Sequence, residues 1–219
     1  MTIKAILFDH DGTLVDSESS HLAIWQIVLS PFGVSVSDKE YADLFLGVPT
    51  EKTADELCKQ YPIPITSEQL VQLKLDQTRA FLKTSSFPQI PGAEALLAEC
   101  ASRLPIALVS GSQRFCIDAT LDSHQWHSFF SHVVTGDDVL LNKPHPDSYL
   151  KALELLGVKG HEAIAIEDTE SGASAAASAG IATVAIRNQH SATHDFSRAA
   201  IEVENLADAK AWILAQLDA

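Results

Sequence analysis

The chain has 219 residues, 46% of them hydrophobic, enough for one α/β domain with a smaller insert and a sizeable core. Its formal net charge of −14 argues against nucleic acid or an anionic membrane as a partner. Three cysteines without metal-ligand spacing (Cys58, Cys100, Cys116), no membrane-length apolar run and no leader pattern point to a cytoplasmic protein with buried free thiols.

The first element is Ala5-Ile6-Leu7-Phe8. It is short, wholly apolar and bounded by turn residues, the pattern of a buried strand in a parallel sheet. Asp9 and Asp11 follow where the strand ends. In extended chain, residues two apart point to the same side, so both carboxylates can face one pocket at the carboxyl edge of the sheet while His10 points away. Gly12 permits a sharp turn and close approach to the backbone. Taken alone, these four residues are equally an ordinary solvated turn.

After Asp16 the period changes. Leu22, Trp25, Leu29 and Phe32 recur at helical spacing, with Gly33 as a stop. Ser37 to Glu40 reads as a capping box opening a second helix that Gly47 ends; Pro49-Thr50 starts a third; Thr66 to Gln69 opens a fourth. Residues 17–86 thus form a strandless helical insert between core segments 1–16 and 87–219. From Pro91 onward strand and helix alternate. Strands are expected over 105–110, 132–135, 163–166, 183–186 and 201–203, with helices over 93–103, 147–156 and 207–217. The strands end in Ser110-Gly111-Ser112, in a segment leading to Asn142-Lys143-Pro144-His145-Pro146, and in Glu167-Asp168. Singly these are weak: Ser-Gly-Ser is most often a helix cap, a loop lysine is usually solvated, and an Ala/Ser run such as 172–180 is close packing. His190 and His194 read as solvated loop residues.

Together they are specific. FDHDGTLVDSE, the serine-bearing strand end, the Lys-Pro-x-Pro loop and EDTESGASAAASAG resemble, in order, the four motifs of the haloacid dehalogenase (HAD) superfamily. The resemblance covers nearly the whole chain. It implies an α/β fold: a Rossmann-like, doubly wound parallel sheet with an inserted α-helical bundle as a cap that closes over the active site and sheds water. It implies Asp9 as nucleophile and Asp11 as general acid and base. Ser110, Gly111, Ser112 and Lys143 would bind phosphate, with Gly47, Lys52 and His21 as substrate-binding residues of the cap. Asp9, Asp11 (through its carbonyl), Glu167 and Asp168 would hold Mg²⁺, a hard cation suited to oxygen ligands. The expected activity is a Mg²⁺-dependent phosphatase acting on a small phosphate monoester, a sugar or polyol phosphate, as a monomer. The alternative is a β-phosphoglucomutase-type phosphosugar mutase. Thr50 stands where a mutase would have an arginine, and Gln113-Arg114 where it would have Lys-Asn. Lys52 and Arg114 could replace them, which keeps the mutase alternative open. A dehalogenase would need neither Asp11 nor the metal carboxylates, and a binding module would have lost at least one of Asp9, Asp11, Lys143 and Asp168.

Overall fold

The computed structural model of the chain describes residues 2–45 and 48–218. They divide into two compact units, one of residues 1–16 with 88–219 and one of residues 17–87.

The first unit is built on six parallel strands, β1 (Ala5–Phe8), β2 (Ile106–Val109), β3 (His132–Val134), β4 (Ala163–Glu167), β5 (Ala182–Ile186) and β6 (Ile201–Val203). Their order is β3-β2-β1-β4-β5-β6, so the first strand made lies inside the sheet and the order reverses beside it. Every residue of β1, β2 and β4 is buried, which is why these strands read as unbroken apolar runs rather than as alternating ones. Side chains still alternate between faces. Ala5, Leu7, Ala107, Val109, Ala163 and Ala165 share one face and pack with Tyr149, Ala152 and Leu153 of α7 (Asp147–Leu156) and Ala175 and Ala176 of α8 (Glu170–Ser178). Alanine in the strands lets these helices approach closely. The residues between them, Ile6, Phe8, Ile106 and Leu108, face the other way by the same alternation. Helix α5 (Ala93–Ala101) packs on α9 (Leu206–Leu217), which runs along β5 and β6. Helix α6 (Arg114–His124) completes this unit. The result is a Rossmann-like α/β fold.

The second unit is helical: α1 (Glu18–Leu29), α2 (Asp38–Leu44), α3 (Thr50–Gln60) and α4 (Ser67–Leu82). Gly33, at φ 69°, ends the turn that follows α1. The Thr66–Gln69 box is fully formed, each side chain bonding the other's backbone N–H. At Ser37 the side chain accepts from Glu40 N. Ile24, Trp25, Leu29, Phe45, Leu57 and Leu70 build an apolar core of its own. Gly47 lies outside the described residues.

The chain leaves and re-enters the first unit side by side. Asp16 N donates to Pro88 O at 2.8 Å, and Ile90 N to Leu14 O at 2.8 Å.

Candidate functional site

The register of the sheet assembles the acidic cluster. Phe8 pairs with Ile166, and Asp9 N continues the ladder by donating to Ile166 O at 3.0 Å. Asp9 therefore falls beside Glu167, with Asp168 next along the chain. One oxygen from each of the three carboxylates lies within 4.8 Å of the others, and all three residues are buried. Lys143 reaches in from the loop before α7. Its Nζ lies 2.5 Å from Asp9 Oδ1, 2.6 Å from Glu167 Oε1 and 2.9 Å from the Val109 carbonyl.

Three carboxylates face one ammonium, and the balance is visible in their proton affinities. Burial first, then Glu167, pushes the Asp9 carboxyl up to about 7 against the pull of Lys143. Burial, then Asp9 and Glu167, lifts Asp168 well above the carboxylate range. Burial alone would lower Lys143, but Asp9 and Glu167 hold its ammonium above the ordinary value. A cluster of oxygen donors with excess negative charge fits a divalent, oxygen-loving cation and has no His or Cys donor that would favour zinc.

Asp11 faces the serine-bearing strand end. Ser112 Oγ donates to Asp11 Oδ2 at 2.7 Å and Ser110 Oγ to the same oxygen at 3.2 Å, while Ser112 N donates to Ser110 Oγ at 2.9 Å. A Cβ at Gly111 would meet Asn142 Oδ1 at an ordinary 3.6 Å. The tight position is Gly136, where a Cβ would lie 2.3 Å from the Gly111 carbonyl. His10 is fully buried, with Nδ1 3.2 Å from Asp11 Oδ1.

Several partners carry no motif signal. Tyr149 OH donates to Glu167 Oε1 at 2.7 Å, and its ring lies 5.2 Å from Lys143 Nζ. Asn188 Nδ2 donates to Asp168 Oδ2 at 2.9 Å. Two glycines are required by contact. A Cβ on Gly12, at φ 77°, would sit 2.0 Å from Asp168 Oδ2, and one on Gly172 would sit 2.0 Å from the Glu167 carboxylate. The small-residue run after the acidic pair is thus more than close packing at its first glycine. Thr13 Oγ1 approaches Asp168 Oδ1 at 3.4 Å, and it belongs to the first motif.

The remaining sequence candidates lie elsewhere. His21 is within the helical unit, its Nδ1 3.1 Å from Nζ of the buried Lys74 and its ring 5.3 Å from that of Phe87. Lys52 is exposed in the first turn of α3. Arg114 is committed within the first unit: Nη2 pairs with Asp138 and donates to the Val133 carbonyl at 3.1 Å. His194 Nδ1 accepts from Glu170 N at 3.3 Å, so it is tied to the start of α8 rather than simply solvated.

No helix among the described residues is long and apolar enough to cross a membrane. The model of the haloacid dehalogenase-like hydrolases matches residues 6–186. The plasmid protein CbbY of Cupriavidus necator is 30% identical, the match covering 94% of this chain and 87% of that one. The fructose-1-phosphate phosphatase YqaB of Escherichia coli is 29% identical over 83% of this chain and 95% of its own. A crystal structure of Rhodobacter sphaeroides CbbY with xylulose-(1,5)bisphosphate superposes with a TM-score of 0.82 at 25% identity, covering 94% of this chain and 96% of that one.

Proposed function

The chain belongs to the haloacid dehalogenase-like hydrolase family and is a phosphatase, and from that premise we propose that it is Mg²⁺-dependent, acts on a sugar or polyol phosphate and works through an aspartyl-phosphate. The observation that carries this reading is the convergence of Asp9, Glu167 and Asp168 within 4.8 Å, with Lys143 bridging Asp9 and Glu167.

In the proposed cycle a carboxylate oxygen of Asp9 attacks phosphorus, and the bond from phosphorus to the ester oxygen breaks. Asp11 gives its proton to the departing alkoxide. It then takes a proton from the water that attacks the aspartyl-phosphate, releasing inorganic phosphate and restoring Asp9. The two serine hydroxyls on Asp11 Oδ2 fix that carboxylate between the steps. Ser110, Gly111, Ser112 and Lys143 hold the transferring group, chemistry that rests on positioning and charge. Asp9, Glu167, Asp168 and the Asp11 carbonyl would hold Mg²⁺. When bound, the ion offsets charge on the carboxylates and phosphoryl oxygens.

The sugar assignment draws on the relatives, one named for fructose 1-phosphate and one crystallised with a pentulose bisphosphate. The helical insert, residues 17–87, is the proposed cap that selects the substrate, with Gly47, Lys52 and His21 as its contacts. A cytoplasmic monomer completes the reading. The engagement of Arg114 with Asp138 weighs against the mutase alternative, because that arginine is taken up in tying the start of α6 to β3 and the segment after it.

The test is phosphate release from a panel of sugar, polyol and nucleoside monophosphates, with Mg²⁺, with EDTA, and with Asp9→Asn. Release that needs Mg²⁺ and vanishes in Asp9→Asn is expected. Release that survives in Asp9→Asn would refute the aspartyl-phosphate route; none from any substrate would turn attention to glucose 1-phosphate isomerisation.

A further inference from the structure

The four motifs do not include the loop that follows β5, yet it reaches the acidic cluster. Asn188 opens this loop. Its Oδ1 accepts from His190 N at 2.8 Å, Ser191 N at 3.0 Å and Ser191 Oγ at 3.3 Å. Those donors fix which end of the amide faces which way, since only the oxygen can accept. Nδ2 is thereby turned toward Asp168 Oδ2, at 2.9 Å, and lies 3.5 Å from the Gly12 carbonyl. Ser191, 1% exposed, closes the ring by accepting from Asn188 N at 3.0 Å.

The loop is itself gripped. Arg187 Nη1 donates to the Ser191 and Ala192 carbonyls at 2.6 and 3.0 Å, and Nη2 to the His194 carbonyl at 3.2 Å. Nε and Nη2 also pair with Glu202 of β6 at 2.5 and 3.0 Å, and the guanidinium lies 4.8 Å from the Phe196 ring centroid. Several fixed N–H groups of one planar cation thus tie the loop to the sheet edge. The Asp168 carboxylate is held from both sides, by Thr13 at Oδ1 and by Asn188 at Oδ2.

We propose that Asn188 is a positioning residue of the metal site: its amide, locked by Ser191 and by the Arg187 grip on the loop, sets the Asp168 carboxylate in the orientation that receives Mg²⁺. The proposal rests on the reading of Asp168 as a metal ligand. A ligand carboxylate free to rotate must be ordered again each time the ion binds, and losing an outer partner of this kind typically weakens metal binding about 10- to 100-fold.

The test is Mg²⁺ titration calorimetry on wild type, Asn188→Ala, Ser191→Ala and Asp168→Asn, with kcat measured on the same proteins as Mg²⁺ is raised. Wild type binds Mg²⁺ and Asp168→Asn does not. Asn188→Ala binds about 10-fold more weakly and Ser191→Ala is weakened by a smaller factor. In both, kcat recovers toward wild type at saturating Mg²⁺, because no reacting group has been removed; a general loss of packing would not be rescued by the ion. Wild-type Mg²⁺ affinity in folded Asn188→Ala overturns the proposal, and if that variant does not fold, wild-type affinity in Ser191→Ala does so. A wild-type protein that binds no Mg²⁺ overturns the metal reading and the proposal with it. Normal binding in wild type, loss in Asp168→Asn and no change in Asn188→Ala overturns the positioning role alone.

Discussion

The two units bury different things. At the carboxyl ends of its strands the α/β unit buries Asp9, His10, Ser110, Glu167 and Asp168. The helical unit buries hydrocarbon, and the charged residue it buries among those described is Lys74, beside His21, within 3.4 Å of Thr78 Oγ1 and under the Trp25 ring. A helix pair can exclude charge by turning it outward. A parallel strand buried on both faces cannot, so what its end delivers is buried wherever the chain turns there. Burying charge at such a place is costly unless opposite charge meets it. The α/β unit carries that cost at one spot, and its most demanding interactions are gathered there.

Breaking the charge balance is expected to have the largest effect. Lys143→Met leaves Asp9 and Glu167 buried without their cation. Removing one partner of a buried pair costs about 3–5 kcal/mol, read as a fall in the urea midpoint measured in EDTA. Phosphatase activity should fall by at least about 100-fold, as when an electrostatic donor to a transition state is removed. A variant that is as stable as wild type in EDTA would show that the ion pairs of Lys143 make no net contribution to stability.

Breaking the hydrocarbon core should cost less and elsewhere. Leu57→Ala, at a side chain 1% exposed in the helical unit, opens a cavity costing about 2–5 kcal/mol. Hydrogen exchange should quicken across residues 17–87 while the amides of β1 and β4 keep their protection. Equal loss of protection in the sheet would mean that the two units open as one.

The cysteines sharpen the comparison at the smallest scale. Cys100 in α5 is fully buried, and burial, then Glu99, pushes its thiol up to about 12 from an ordinary 9.0. A group that holds its proton more tightly when folded leaves stability intact below the unfolded value and loses it as pH climbs from there toward the folded one. The loss approaches about 1.4 kcal/mol per pH unit. Between about pH 9 and pH 11 the Tm of Cys100→Ala should therefore fall less steeply than that of wild type; parallel slopes would remove Cys100 as the cause. Cys58, half-buried in α3, should react with a thiol reagent ahead of Cys100.

Much of the fold was legible because buried parallel strands and capped helices leave local signatures. Ala5–Phe8, the Thr66–Gln69 box and the Asp147–Leu156 helix each depend on neighbours within a few residues. The acidic cluster was legible for a different reason, the resemblance of four motifs in order to those of a known family, two of which stand at the ends of β1 and β4. What escaped is the support around it. Tyr149 and Asn188 are ordinary residues whose partners lie 18 and 20 positions away, and no period or turn pattern marks them. Gly172 is hidden in a run of small residues that packing alone explains. Ser112 reads as part of a phosphate loop, and the structure gives it a second attachment, to Asp11.

The strand order also bears on how the chain is made. β1 leaves the ribosome before either strand it pairs with, since these begin at Ile106 and Ala163. The helical stretch emerges next, and its pairings, α1 with α4 and α3 with α4, need only residues from within the stretch itself. Ala5–Phe8 meanwhile has nothing to pair with on either edge, and its brevity limits what a neighbouring nascent chain can attach to. Synthesis interrupted before Ala163 leaves Asp9 without Glu167 and Asp168, so a truncated product lacks the carboxylate cluster however much helix it has formed.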